Sequence, residues 1–209
     1  MKHIHFESID STNDYLSNNY TELEDMTVVT TDYQTHGKGR LSRTWYGDEK
    51  SIMCSVLLKK NLNNIPLNIL PLLVAKSLHQ VLSKYHNNIK IKWPNDLLIN
   101  GLKLSGILIK SIFEGNQVLA IIIGFGININ QTEFDEEIKE IATSLYLEKK
   151  KYYDKDLILE KLLKQLESDL RNAKENRQNI IDYCNAFSAI NNKEISFIHK
   201  KQTYNGMTE

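Results

Sequence analysis

The sequence predicts an α+β fold, a mixed, largely antiparallel sheet with helices packed on it. Three observations predict it. Strand-like runs come in adjacent groups that short turns can pair, two long segments carry apolar residues at helical spacing, and helices do not alternate one for one with strands. At 209 residues the chain suits one large domain or one domain with a small appendage. A chain of this size buries roughly 70% of its unfolded surface, so its core needs no disulfide or metal staple.

The elements follow in order. Residues 3–6 read as a short strand, and Asp10-Ser11-Thr12-Asn13 is a run of helix N-cap types before Tyr15 and Leu16. Thr27 to Tyr33 is rich in β-branched residues and reads as a strand, residues 34–50 as a long loop, and Ser51 to Lys59 as the next strand. Between Leu67 and Tyr85, Leu70, Leu73, Val74, Leu78, Val81 and Leu82 recur at helical spacing. Strand-like runs follow at Ile89–Trp93, Leu102–Ile112 and Val118–Ile127, the last two joined by a turn at Glu114-Gly115-Asn116. From Asp154 to about Asn176, Leu159, Leu162, Leu163, Leu166 and Leu170 make one apolar stripe of an amphipathic helix. Lys149-Lys150-Lys151 reads as a solvated approach to that helix. Residues 1–190 are expected to form the main domain, and residues 191–209 one strand and the start of another.

Composition excludes several classes. Lys+Arg and Asp+Glu both number 26, so the net charge is zero, against the basic excess of a protein that neutralises a nucleic-acid backbone. Cys54 and Cys184 are too few for a secreted disulfide framework, and no apolar run reaches spanning length, so the chain is expected to be soluble and cytoplasmic. The six histidines show no ligand spacing, and no protein metal site is expected.

Four segments carry candidate chemistry. Gln34 to Trp45 holds Gly37 and Gly39 around Lys38, with Arg40 and Arg43, so exposed backbone N–H groups and three cations suit phosphate or carboxylate oxygens. The plain alternative is a flexible basic loop; the P-loop spacing is absent. Lys92-Trp93-Pro94-Asn95-Asp96 precedes Lys103-Leu104-Ser105-Gly106, and a turn at Asn100-Gly101 would bring Asp96 and Lys103 together. As a surface pair alone they would be worth under ~1 kcal/mol. Gly124-Phe125-Gly126-Ile127-Asn128 ends a strand where backbone can meet a ligand, yet lacks the third glycine and following helix of a dinucleotide fingerprint. Ser11, Thr12 and Asn13 either cap a helix or face a ligand.

Together, in this order, the four segments resemble the catalytic domain of biotin protein ligases, over about Phe6 to Leu147, and Ala142-Thr143-Ser144-Leu145 is similar to a segment of the same family. The resemblance implies a class II synthetase-like catalytic fold, and a reaction in which biotin and ATP give biotinyl-5′-AMP and pyrophosphate before biotin passes to a lysine of a carrier domain. It implies that Ser11, Thr12, Asn13 and Gln34 contact biotin. Gly37, Lys38, Gly39 and Arg40 would close over the carboxylate and phosphate beside Trp45. Lys103 would bind the biotin carbonyl or the phosphate side, with Gly106 and Gly126 nearby, and Asn128 would lie near the nucleotide. Lys103, Arg40, Lys38 and Asp96 would carry catalysis, Asp96 by orienting Lys103 or a magnesium-bound water, with Mg²⁺ on the phosphates.

The implied partners are biotin, ATP and the biotin carboxyl carrier domain of a carboxylase, without DNA or membrane, and a homodimer is admitted. Lys38 stands where arginine is common, and Leu41-Ser42 where many members carry a basic residue and glycine, which bears on how tightly the adenylate is held. The N-terminal helix-turn-helix of repressor-type members is expected to be absent. Lys193 to Glu209 is expected to supply only the beginning of the small C-terminal β-barrel. Two other readings remain open at this point: a lipoate or octanoate ligase or transferase of the same fold, and a biotin-binding protein without catalysis.

Overall fold

A computed structural model describes residues 1–199 and 202–208; Lys200, Lys201 and Glu209, within the expected C-terminal unit, lie outside the described residues. The strands are β1 (His3–Ile9), β2 (Val28–Gln34), β3 (Ser51–Leu58), β4 (Ile89–Lys92), β5 (Asp96–Ile99), β6 (Leu102–Glu114) and β7 (Gln117–Asn128). They form one sheet in the order β1-β2-β3-β7-β6-β5-β4. β1 and β2 run parallel, and the other neighbours are antiparallel, as the pattern predicts. The parallel pair follows from a helix, α1 (Thr12–Asn19), that carries the chain back to the start of the sheet. A separate antiparallel pair, β8 (Glu194–His199) and β9 (Gln202–Met207), closes the chain.

Turn chemistry sets the registers. Asn100 and Gly101, at φ 52° and 89°, join β5 to β6 in the two-residue hairpin that Asn-Gly favours. Gly115, at φ 57°, opens the β6–β7 turn. β4 stops at Lys92, one residue earlier than the sequence predicts, because the cis Trp93–Pro94 bond and Asn95 make the turn into β5.

The two faces of the sheet are covered unequally. One face carries Val56, Leu104, Ile121, Ile123, Phe125 and Ile127 under α2 (Leu70–Leu82), in a continuous core with α4 (Lys155–Arg171) and α5 (Arg177–Ala186). α2 is apolar nearly all round, with Pro71 in its first turn where a missing N–H is tolerated. It touches both the sheet and the two later helices. Leu73 and Leu78 are fully buried there, and truncating either to alanine removes about 2–5 kcal/mol. Its polar residues answer α4: Lys76 and Ser77 each meet Asp169 at 2.7 Å. The other face has a smaller cluster of Leu16, Val29, Leu57, Ala120 and Ile122 beneath α1, and the rest of that face is open. The lysine run ends α3 (Leu145–Lys149) at a left-handed Lys150 before Asp154 caps α4, so it lies between two helices.

His79 of α2 is buried at 2% exposure, its Nε2–H donating to the Ile89 carbonyl at 3.1 Å and its Nδ1 accepting from Tyr183 at 2.8 Å. Burial pushes its pKa below the ordinary histidine value, and the same cause lowers His3 and His86. The folded chain therefore resists protons that the unfolded chain accepts, so stability is full above the ordinary histidine pKa and is lost as pH falls through it. Thermal melts followed by circular dichroism should show the midpoint dropping between about pH 7 and pH 5. His79→Phe should shrink that drop; an unchanged drop would place the proton uptake elsewhere.

Candidate active site

The open face is open because it is built of glycine. Along β7, Ile123, Phe125 and Ile127 point to the core, so alternation turns Gly124 and Gly126 to the other face, and Gly106 of β6 pairs directly with Gly126. What fills the space comes from elsewhere. A Cβ on Gly124 would stand 1.8 Å from Asn13 Nδ2, and one on Gly126 2.2 Å from Trp45 Cε2. One on Gly106 would stand 3.2 Å from Lys103 Nζ. These three glycines form the floor of a small cavity of about 50 Å³.

One wall is the start of α1. Ser11 caps the helix through Asp14 N at 3.4 Å, and Thr12 is held by Gln34 Oε1 through its N–H at 2.9 Å and by Ser55 through its hydroxyl at 2.7 Å. Asn13 is 7% exposed, and its Oδ1 has no hydrogen-bond partner among the described residues. This end of the cavity is polar, uncharged and buried. Ser11, Thr12 and Asn13 thus both cap a helix and line the cavity.

The roof is the glycine-rich loop. Gly39 N donates to Arg43 O at 2.7 Å and Trp45 N to Gly37 O at 2.9 Å, so the loop is a tight hairpin rather than a free coil. At its tip, Leu41 takes a left-handed φ of 55° and is 86% exposed. Lys38 pairs with Asp14, and Arg40 donates to Asn95 Oδ1 at 2.7 Å. Trp45 lies over Gly126 with Lys103 Nζ 5.7 Å from its ring centre, and its own Nε1 is buried without a partner among the described residues.

Lys103 reaches the cavity through a bulge. Opposite Leu97 stands Ser105, but opposite Leu98 stands Lys103, so Leu104 is the extra residue. Plain alternation from Gly106 would put Leu104 over the cavity; with the bulge, Leu104 is fully buried in the core and Lys103 faces the site. There its Nζ meets Asp96 Oδ1 at 2.9 Å, with the side chains 36% and 21% exposed. Behind it, Lys103 N and O bond Ile141 O and Thr143 N at 2.8 and 2.9 Å. Asn128 Nδ2 donates to Thr143 O at 3.0 Å.

Of the residues predicted for the site, all but Gly37, Asp96 and Asn128 line this cavity. Gly37 is buried under the roof, where a Cβ would strike Trp45 O at 2.4 Å. Asp96 acts on Lys103 from the side, and Asn128 sits behind the Lys103 strand with a buried, unpartnered Oδ1. Arg43 does not line the cavity. Sequence reasoning passed over Asp14, Asn95 and the contribution of Met53, although Asp14 directly follows the Ser-Thr-Asn run. Cys54 borders the cavity, but its neighbours in register place it with the core, and burial pushes its thiol pKa up, so it is a packing residue. Among the described residues no group of three His, Cys, Asp or Glu could hold a metal ion.

A second groove, of about 630 Å³, shares Gln34 and Trp45 with the first and is closed on its far side by residues 131–138. Gln131 there is 4% exposed, with an Oε1 that has no partner among the described residues. Trp45 lines both spaces and its ring rests against Gly126. Gly126→Ala should therefore expel that ring, giving a red shift in tryptophan emission; Trp93, already 58% exposed, contributes little change. An unshifted spectrum would show that the indole does not rest on this glycine.

The biotin/lipoate A/B protein ligase family model matches residues 5–128. The bifunctional ligase/repressor BirA of Bacillus subtilis is 43% identical over 126 residues, 57% of this chain and 38% of that one. Biotin–protein ligase 2 of Arabidopsis thaliana is 33% identical over 131 residues, 60% of this chain and 40% of that one. The chain thus spans about two fifths of the length of these relatives. The biotin protein ligase of Aquifex aeolicus in complex with biotin and ATP superposes with a TM-score of 0.87 at 29% identity, covering 99% of this chain and 86% of that one. With the fold, the four motifs and the cavity they build all in place, the chain belongs to the biotin/lipoate A/B protein ligase family.

Proposed function

We propose that this chain is a biotin protein ligase, which joins biotin to ATP as biotinyl-5′-AMP and then transfers biotin to a lysine of a carrier domain. The observation that carries the reading is the polarity of one cavity, uncharged and hydrogen-bonding at the Thr12–Asn13 end and cationic at the Lys38, Arg40 and Lys103 end. Biotin has the same polarity. Its cyclic urea offers two N–H donors and a carbonyl, and its tail ends in a carboxylate. A urea N–H would satisfy Asn13, whose carboxamide presents a donor and an acceptor whichever way it is turned.

The alternative acyl groups fit less well. Lipoate and octanoate have apolar heads, and binding either would leave the unpartnered Asn13 carboxamide oxygen facing hydrocarbon, a penalty of about 1–3 kcal/mol. Transfer through a cysteine has no support: the Cys54 thiol is held protonated, and Cys184 donates to Leu72 O on the helical side of the sheet.

In the first step a carboxylate oxygen attacks the α-phosphorus and pyrophosphate leaves. Lys103, Arg40 and Lys38 would face the charge that gathers there, with Asp96 aiming Lys103 through their 2.9 Å contact. The groove beyond Trp45 would take the nucleotide, with Gln131 bringing an acceptor suited to an exocyclic amine. Mg²⁺ has no preformed protein cage among the described residues, so it would travel on the triphosphate, where it neutralises charge. In the second step the acceptor amine attacks the acyl carbon and AMP leaves.

Biotin-dependent exchange of labelled pyrophosphate into ATP tests the first step, and folded protein without exchange above background would end the ligase reading. Lys103→Ala should cut adenylate formation about a hundredfold, as for other lost charge-stabilising donors. Normal adenylate formation in that variant would remove Lys103 from the reaction.

A further inference from the structure

Asp14 stands in the first turn of α1, one residue beyond the Asn13 that lines the cavity, and its carboxylate faces two cations from other elements. Lys38 of the glycine loop pairs with its Oδ2, and Lys110 of β6 lies 3.8 Å from its Oδ1. Among the described residues, the loop that carries Lys38 has little else to hold it down. Its hairpin bonds are internal, between Gly37 and Trp45 and between Gly39 and Arg43, and its Leu41 tip is 86% exposed. Among the described residues it is joined to the body of the protein by Trp45 at its base, Arg40 on Asn95 at one side and Lys38 on Asp14 at the other.

We propose that Asp14 is a positioning residue that clasps the glycine loop over the cavity. Lys110 holds the carboxylate from the β6 side, Asp14 holds Lys38, and opening of this pair governs ligand entry and the departure of a bound acyl adenylate. The part concerning the adenylate rests on the ligase reading; the clasp does not. Lys38 has two roles in this scheme. In the structure its ammonium pairs with Asp14. With an anion in the cavity, carboxylate and phosphate compete for the same ammonium, and Lys110 keeps Asp14 from being left alone. A purely structural role is also available to Asp14, since an acidic residue in a first helical turn favours the helix dipole, and the test separates the two.

The readout is trypsin cleavage after Arg40 and Arg43 in the ligand-free full chain. Asp14→Asn should speed it about threefold, the worth of a partly exposed ion pair. Lys38→Met should speed it equally, the double variant no further, and Asp14→Glu should restore slow cleavage. Lys110→Gln should give a smaller rise, since Asp14 and Lys38 remain. Unchanged cleavage in Asp14→Asn overturns the clasp. So does a double variant in which the two effects add, because Asp14 would then act through α1 and not through Lys38. In a second arm, biotinyl-AMP release should quicken in Asp14→Asn by the same factor. If the cleavage pattern holds while the parent protein makes no adenylate, the clasp stands and the ligase reading falls.

Discussion

The site depends on three positions where a side chain is missing. Glycine in a strand is unfavourable by roughly 0.5–1 kcal/mol, since it orders a freer backbone and contributes no packing. β6 and β7 tolerate three of them on one face because the opposite face of the same strands is packed: Ile121, Ile123 and Ile127 are fully buried and Phe125 nearly so. One face of these strands holds the molecule together. The other is left bare so that Asn13, Trp45 and Lys103 can be brought in from a helix, a loop and a bulge.

Placement of Lys103 shows how such a site is kept rigid. The bulge at Leu104 reverses the alternation of one strand, sending a leucine to the core and a lysine to the cavity. Buried leucine makes that choice energetically one-sided, since the opposite register would exchange an apolar contact for a buried ammonium. The backbone of Lys103 is then bonded on its other edge to residues 141–143, and Asn128 ties down that segment. Asn128 sits at the end of the glycine motif, so the residues that open the floor are continuous with those that brace the lysine. A cation fixed in this way needs little reorganisation when charge develops beside it.

Much of this was legible in the sequence, for reasons that are local. Asn100-Gly101 specifies a tight hairpin by its backbone preference, and that hairpin brings Asp96 to Lys103. α2 and the Leu159–Leu166 stripe announce themselves by period. The bulge left no such trace, because Lys103-Leu104-Ser105-Gly106 reads equally well as plain strand, and only the tertiary fate of Leu104 decides. α5 was missed since it buries just Ile180 and Cys184 and has no capping side chain, so its pattern is sparse. Asp14 and Asn95 were invisible as partners because each meets a loop residue far along the chain, Lys38 and Arg40, through the fold of the roof. Asn128 lies behind the site and not within it: its carboxamide spans carbonyls of segments that sequence order does not bring together.

Zero net charge does not hold locally: among the described residues around the cavity, Lys38, Arg40, Lys103 and Lys110 face only the carboxylates of Asp14 and Asp96. Two of the three cations over the cavity are matched by a carboxylate, Lys103 by Asp96 and Lys38 by Asp14. Crowding three bare cations together would cost energy through mutual repulsion, and the two pairs remove most of it. Arg40 is matched by the Asn95 amide, which aims the guanidinium without cancelling its charge. An incoming anion must therefore compete for either lysine but not for Arg40, whose planar fork suits two oxygens of a carboxylate or phosphate at once. The net attraction of the cavity for an anion thus rests first on the arginine of the loop, and the lysines contribute by sharing charge with their partners once the anion has arrived.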